Sequence, residues 1–228
     1  MRIIRSDERG RSNYGWLDSR HTFSFADYYD PDNKGVSVLR VINDDIVAPG
    51  AGFETHSHRD VEIISYILEG AIEHKDSLGN ITRLEAGDFQ VMTTGTGVTH
   101  SEYNPSPTER LRFLQIWIWP DTKGLTPTYA EKAFPTTAKC QLIASPDERE
   151  GSLLINQNAT LVRLQLTAGD TEILSVDTGR TGMLHIVSGE IDTTTASLSA
   201  GDAVITDDSC KLQLAVTADA EALWFDLP

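Results

Sequence analysis

The sequence predicts an all-β protein built as two similar barrels in tandem, and three observations predict it. Runs rich in Val, Ile, Leu and aromatic residues recur roughly every eight to twelve residues between Gly, Asn, Asp and Pro, the rhythm of a sandwich or barrel. No stretch of useful length carries a 3.6-residue period, so little helix is expected. The halves also echo each other: SYILEGAIE and LEAGDFQVM in the first return as LHIVSGEID and LSAGDAVIT in the second. Two copies of one barrel explain the echo. Placing Gly70 on Gly189 and Gly87 on Gly201 makes the intervening hairpin shorter in the second copy.

The elements follow in chain order. The opening MRIIRSDERGRSNYG has no apolar run after its basic residues, and no later run reaches membrane-spanning length. A cytoplasmic protein without a membrane partner is therefore expected. Strands are predicted at Val36 to Ile42, Val61 to Leu68, Phe89 to Met92 and Leu111 to Trp119. Between the second and third of these, Asp76-Ser77-Leu78-Gly79-Asn80 supplies residues that tolerate positive φ and can close a hairpin. Pro120, Gly124, Pro127 and Pro135 interrupt the strand pattern, which places a metal-binding domain at 1–125 and a degenerate second barrel at 126–228. A short helical turn is expected around Tyr129 to Phe134.

The chemistry concentrates in GAGFETHSHRDVE and GTGVTHSEYN, which hold three of the six histidines. In each, two candidate ligands stand two residues apart: His56 with His58, then His100 with Glu102. Side chains at i and i+2 of a strand share a face, so two such strands lining one barrel bring four donors together. Imidazoles with one carboxylate and no thiolate suit one divalent ion: iron first, with zinc, nickel, cobalt, manganese or copper as alternatives. Six-coordination would leave positions open for a ligand or dioxygen.

The same stretches carry a resemblance. Gly50, His56, His58 and Glu62 look like the first cupin motif, and Gly87, Gly97, His100 and Asn104 like the second. More narrowly, HTFSFADYYDP, THSHRDVEIISYILEG and GTGVTHSEYNPS resemble the pirin family and its bacterial quercetin 2,3-dioxygenase-like members. The resemblance implies a bicupin of two double-stranded β-helix barrels with metal in the first only, held by His56, His58, His100 and Glu102. It implies an oxidoreductase that opens a flavonol ring with O2 and releases carbon monoxide, with Glu102 as the catalytic proton acceptor. It also implies an alternative, because pirin itself is a metal-dependent transcriptional cofactor: a non-enzymatic metal-binding regulator. A metal-dependent isomerase or hydrolase is a third reading.

The remaining features are given smaller roles. Glu62 is a rival carboxylate, assigned to outer support of the site or to strand pairing. His74 is expected exposed in a hairpin, His185 packed in a strand, and His21 anchoring a loop. Phe23, Phe53 and Trp117 are candidate apolar walls. The ligand positions map across the repeat near Ser175, Asp177, Leu214 and Val216, so no comparable metal is expected in the second barrel. Cys140 and Cys210 form no CxxC pair and read as buried or half-buried residues. A net charge of −15 spread along the chain argues against direct nucleic-acid binding. It points to no particular protein partner.

Overall fold

The computed structural model describes residues 1–135, 137–207 and 210–228. Among them the only helical segments are single 3-10 turns at Ser6–Glu8 and Arg149–Gly151; the rest is strand and loop. No helix is long and apolar enough to cross a membrane. The chain forms two units, one made of Gly10–Phe134 with Leu153–Gln157, the other of Met1–Arg9, Pro135–Ser152 and Asn158–Pro228. Each unit is a pair of antiparallel sheets, the bicupin expectation.

Strand β1 (Arg2–Ile4) pairs with Ala203–Asp207 and so belongs to the C-terminal unit. The N-terminal unit contains β2 (Gly10–Asn13), β3 (Leu17–His21), β4 (Leu39–Val47), β5 (Gly52–His58), β6 (Glu62–Glu69) and β7 (Ala71–Asp76). It continues through β8 (Ile81–Glu85), β9 (Asp88–Thr93), β10 (Val98–Tyr103), β11 (Leu111–Ile118) and β12 (Thr128–Ala133). One sheet runs β12-β9-β6-β11-β4-β3-β2, the other β5-β10-β7-β8. The turn between β7 and β8 is closed by Gly79 at φ 97°, as its composition predicts.

Two sequence expectations change here. The helical turn anticipated at Tyr129 to Phe134 is the edge strand β12, paired in unbroken register from Thr128↔Thr93 to Ala133↔Asp88. Its side chains are mostly exposed, so the segment lacks the alternation that marks a half-buried strand, while Ala, Glu and Lys suggest helix. A boundary at 125 would also detach β12 from the sheet that it completes, and Met1–Arg9 belongs with the second barrel.

The interior between the two sheets is layered. At one end Leu17, Val47, Ile67, Ile72, Leu84, Leu111 and Phe113 form an apolar cluster; at the other, Val61, Ile63, Met92 and Val98 form a second. Between them lies a polar rung: Asn43, Gln115, Ser65 and Gln90 stand side by side on β4, β11, β6 and β9. All four are 9 % exposed or less. Buried polar groups are tolerated only with partners. Their partners build the site described below.

In the C-terminal unit the equivalent space is filled with apolar side chains, among them Leu164, Leu184, Ile186, Leu212, Leu214, Val216 and Trp224. The repeat is exact at its turns. Gly70 and Gly189 adopt φ 73° and 75°, Gly87 and Gly201 φ 99° and 87°. A Cβ on Gly70 would strike the Arg110 carbonyl, and one on Gly189 the matching Asp219 carbonyl. Glycine is therefore required twice over at this turn, by backbone conformation and by close approach.

Candidate metal centre

Strands β5 and β10 pair antiparallel with His100 opposite His56 and Val98 opposite His58. Alternation then turns His56, His58 and His100 to one face, where their ring centroids lie 4.5–5.0 Å apart. The nearest ligand atoms of the three all fall within 4.8 Å of one another. Beyond His100 the register shifts, so Glu102 faces Phe53 on β5. Across this bulge in β5, His100 and Glu102 are buried while His56 and His58 are half-buried.

The imidazole rings are oriented as metal ligands need. Nδ1 of His56 lies 2.7 Å from the Glu54 carbonyl, a contact that requires Nδ1–H and leaves Nε2 with a lone pair. That Nε2 stands 3.1 Å from Nε2 of His100. Burial, reinforced by the neighbouring rings, lowers His58 to about 4 and His100 to about 3. Near neutral pH both are uncharged donors.

Glu102, 2 % exposed, is held by the polar rung. Gln90 donates one amide hydrogen to Oε1 at 2.9 Å and the other to Ser65 at 2.9 Å. Gln115 donates to Oε2 at 3.0 Å while its own carbonyl accepts from Ser65 at 3.2 Å. Tyr129 in turn donates to Gln90 Oε1 at 3.0 Å. The two amides orient the carboxylate. Three imidazoles beside one gripped carboxylate fit a divalent transition metal.

A cavity of about 670 Å³ opens beside the cluster, lined by His56, His58, Glu102 and Gln115 together with Trp16, Phe25, Phe53 and Trp117. The aromatic rings meet edge to face: Trp16 with Phe53 at 5.1 Å, Phe25 with Trp117 at 5.4 Å and His58 with Trp117 at 5.0 Å. Such walls suit a flat aromatic guest. Phe53 and Trp117 thus stand where the sequence suggests. Phe23 does not line the cavity; it is 1 % exposed in the core, and Phe25 on the same segment takes the wall position.

The other expectations separate. Glu62 lies on the opposite face of β6 from Ile63 and Ser65, where Thr93 donates to it at 2.9 Å and the Asn156 amide at 3.2 Å. Burial raises its pKa. His74 is buried, contrary to the exposure expected of a hairpin residue: on β7 Ile72, His74 and Asp76 point inward while Glu73 and Lys75 point out. Its Nε2 lies 3.2 Å from Asp76, and with His100 and Glu102 it makes a second group of potential ligands within 4.8 Å. That charged-apolar alternation in AIEHKD was the available signal. His21 is buried with Nε2 2.9 Å from Ser12 and Nδ1 2.8 Å from Asn43, an anchor as expected. His185 is a buried strand residue. Leu214 and Val216 fill the second barrel's core, while Ser175 and Asp177 are exposed. Both cysteines are free, and Cys140 is exposed rather than buried because it begins a strand at Cys140–Ser145. Sequence reasoning missed Gln90, Gln115 and Asp45, whose polarity inside apolar strands was the only clue.

Comparison with known proteins gives a consistent picture. Residues 4–118 match the family model described as Pirin, and residues 142–227 the one described as the quercetinase C-terminal cupin domain. A relative from Escherichia coli K12, "Quercetin 2,3-dioxygenase", is 46 % identical over 226 residues, covering 99 % of this chain and 98 % of the relative. The crystal structure of YhhW from E. coli superposes with a TM-score of 0.98 at 45 % identity, over 100 % of this chain and 97 % of that one. YhhW in complex with nickel(II), described as a bacterial pirin, gives 0.96 at 45 % identity, over 100 % and 98 %.

Proposed function

The chain belongs to the pirin family, and from that membership we propose that it is a metal-dependent dioxygenase for a flavonol or a similar enolic aromatic, with His56, His58, His100 and Glu102 as the ligands of one ion. The observation that carries the proposal is the 3.1 Å approach of the His56 and His100 Nε2 atoms beside a cavity walled by aromatic rings. The nickel(II) complex of the E. coli relative supports a metal in this family, and the names of the relatives support the flavonol.

When bound, a divalent ion such as iron(II) would supply Lewis-acid charge that stabilises an enolate. The protein's own residues do the rest. The Glu54 carbonyl fixes the His56 tautomer, and Gln90 with Gln115 fixes the plane of Glu102. Trp16, Phe25, Phe53 and Trp117 hold a planar ring system and keep water from it. Both Glu102 oxygens already accept amide hydrogens, which suits the residue to ligation more than to the proton acceptance that the resemblance assigns to it.

An oxygen electrode tests the reading. Metal-loaded protein should consume O2 in proportion to the quercetin lost, and chelation of the metal should stop both. Equal rates of quercetin loss with and without O2 would remove the oxygenase reading.

A further inference from the structure

Two acids that line the cavity, Glu54 and Asp45, are outside the metal assignment; Glu54 is exposed and Asp45 is buried. Asp45 on β4 lines the cavity and is 4 % exposed, and its Oδ1 is buried without a hydrogen-bond partner. Its carboxyl is held from the neighbouring strand by Ser19, which is its register partner on β3. Asn43, two residues earlier on the same strand, lines the same cavity. A buried carboxyl oxygen without a partner is costly unless something that enters the cavity completes it.

We infer that Asp45, rather than Glu102, accepts the proton of the substrate hydroxyl, an inference that rests on the flavonol reading above. The substrate O–H bond breaks, the hydrogen bonds to Asp45 Oδ1, and the electron pair stays on the substrate oxygen to give the enolate. After ring opening the same proton returns to the product. No other atom changes partner in this step.

The surroundings suit an acceptor. Asp44 precedes it on the strand but is paired with Arg112, at 2.9 Å through two nitrogens. Glu54, Glu102, His56 and His58 share the cavity with it, and no Lys or Arg lines that cavity among the described residues. Burial pushes the Asp45 carboxyl up to about 7, with Asp44 and Glu102 adding to the effect and Ser19 opposing it. A carboxylate of that basicity is matched to proton transfer near neutral pH.

The test is an anaerobic titration of the nickel-loaded protein with quercetin, followed by the absorption band, which moves to longer wavelength when the flavonol loses its proton. The wild type should bind quercetin as the anion. Asp45→Asn keeps the shape and removes the acceptor, so the anionic fraction should fall at least about tenfold, while Asp45→Glu should restore it. Nickel content equal to wild type establishes that each variant is folded; should Asp45→Asn not fold, Asp45→Ser is measured in its place. A full anionic band in Asp45→Asn, or a band absent from the Asn and Glu variants alike, overturns the role of Asp45 and leaves the flavonol reading standing. Failure of the wild type to bind quercetin at all overturns the flavonol reading itself, and this inference with it.

Discussion

Gln115 donates its amide hydrogen to Oε2 of Glu102 at 3.0 Å, across the interior of the first barrel from β11 to β10. With Gln90 on Oε1 the carboxylate is gripped at both ends, so its direction is set before any ion arrives. Gln115→Leu keeps the bulk and removes the grip on one oxygen. Nickel affinity, measured by calorimetric titration, should fall about 10- to 100-fold, the usual consequence of losing a partner of a metal ligand. An unchanged affinity would mean that Glu102 does not hold the ion.

Two overlapping groups of donors share His100: one with His56 and His58, the other with His74 and Glu102. The proposed ligand set predicts different outcomes for their members. His56→Ala and His58→Ala should each lower bound metal well below one ion per chain by elemental analysis. His74→Gln should leave it near one, because His74 stands outside the proposed ligand set.

Asp45 makes stability depend on pH in a definite direction. Its carboxyl is raised from 3.8 to about 7 in the folded chain. The folded state therefore binds the extra proton between these values. The stability that this group contributes is fully present below 3.8 and is lost as pH rises through about 7. Asp45→Asn removes the dependence. Urea unfolding of the metal-free proteins should show the variant gaining on the wild type between pH 4 and pH 8, by up to about 4 kcal/mol. A constant difference across that range would contradict the assignment.

Gly52 opens β5 where the strand passes closest to β10. A Cβ there would press on the Glu102 carbonyl and on Cα of Tyr103, both backbone atoms that cannot turn aside. Gly52→Ala should destabilise the metal-free protein by about 1–3 kcal/mol and weaken metal binding in parallel, since the same pairing carries His56 and His100. Thermal unfolding and nickel titration on one preparation check both.

Much of this was legible in the sequence because strand geometry is local. The i and i+2 spacing placed His56 with His58 and His100 with Glu102, and paired glycines marked equivalent turns in the two barrels. What escaped depends on distant strands meeting. Gln90, Ser65, Gln115 and Asn43 come from four separate strands and become a rung only through register. His74 reads as a hairpin residue until β10 packs beside β7 and buries it. The strand β12 carries too little apolar patterning to declare itself, since only its pairing with β9 makes it a strand.

The central claim is a single ion between β5 and β10, and anomalous diffraction from crystals of the nickel-loaded protein tests it most directly. The account predicts one strong peak per chain, about 2.0–2.2 Å from a nitrogen of each of His56, His58 and His100 and from a carboxylate oxygen of Glu102. A peak held instead by His74, or one lying away from the His56 and His58 rings, would contradict it.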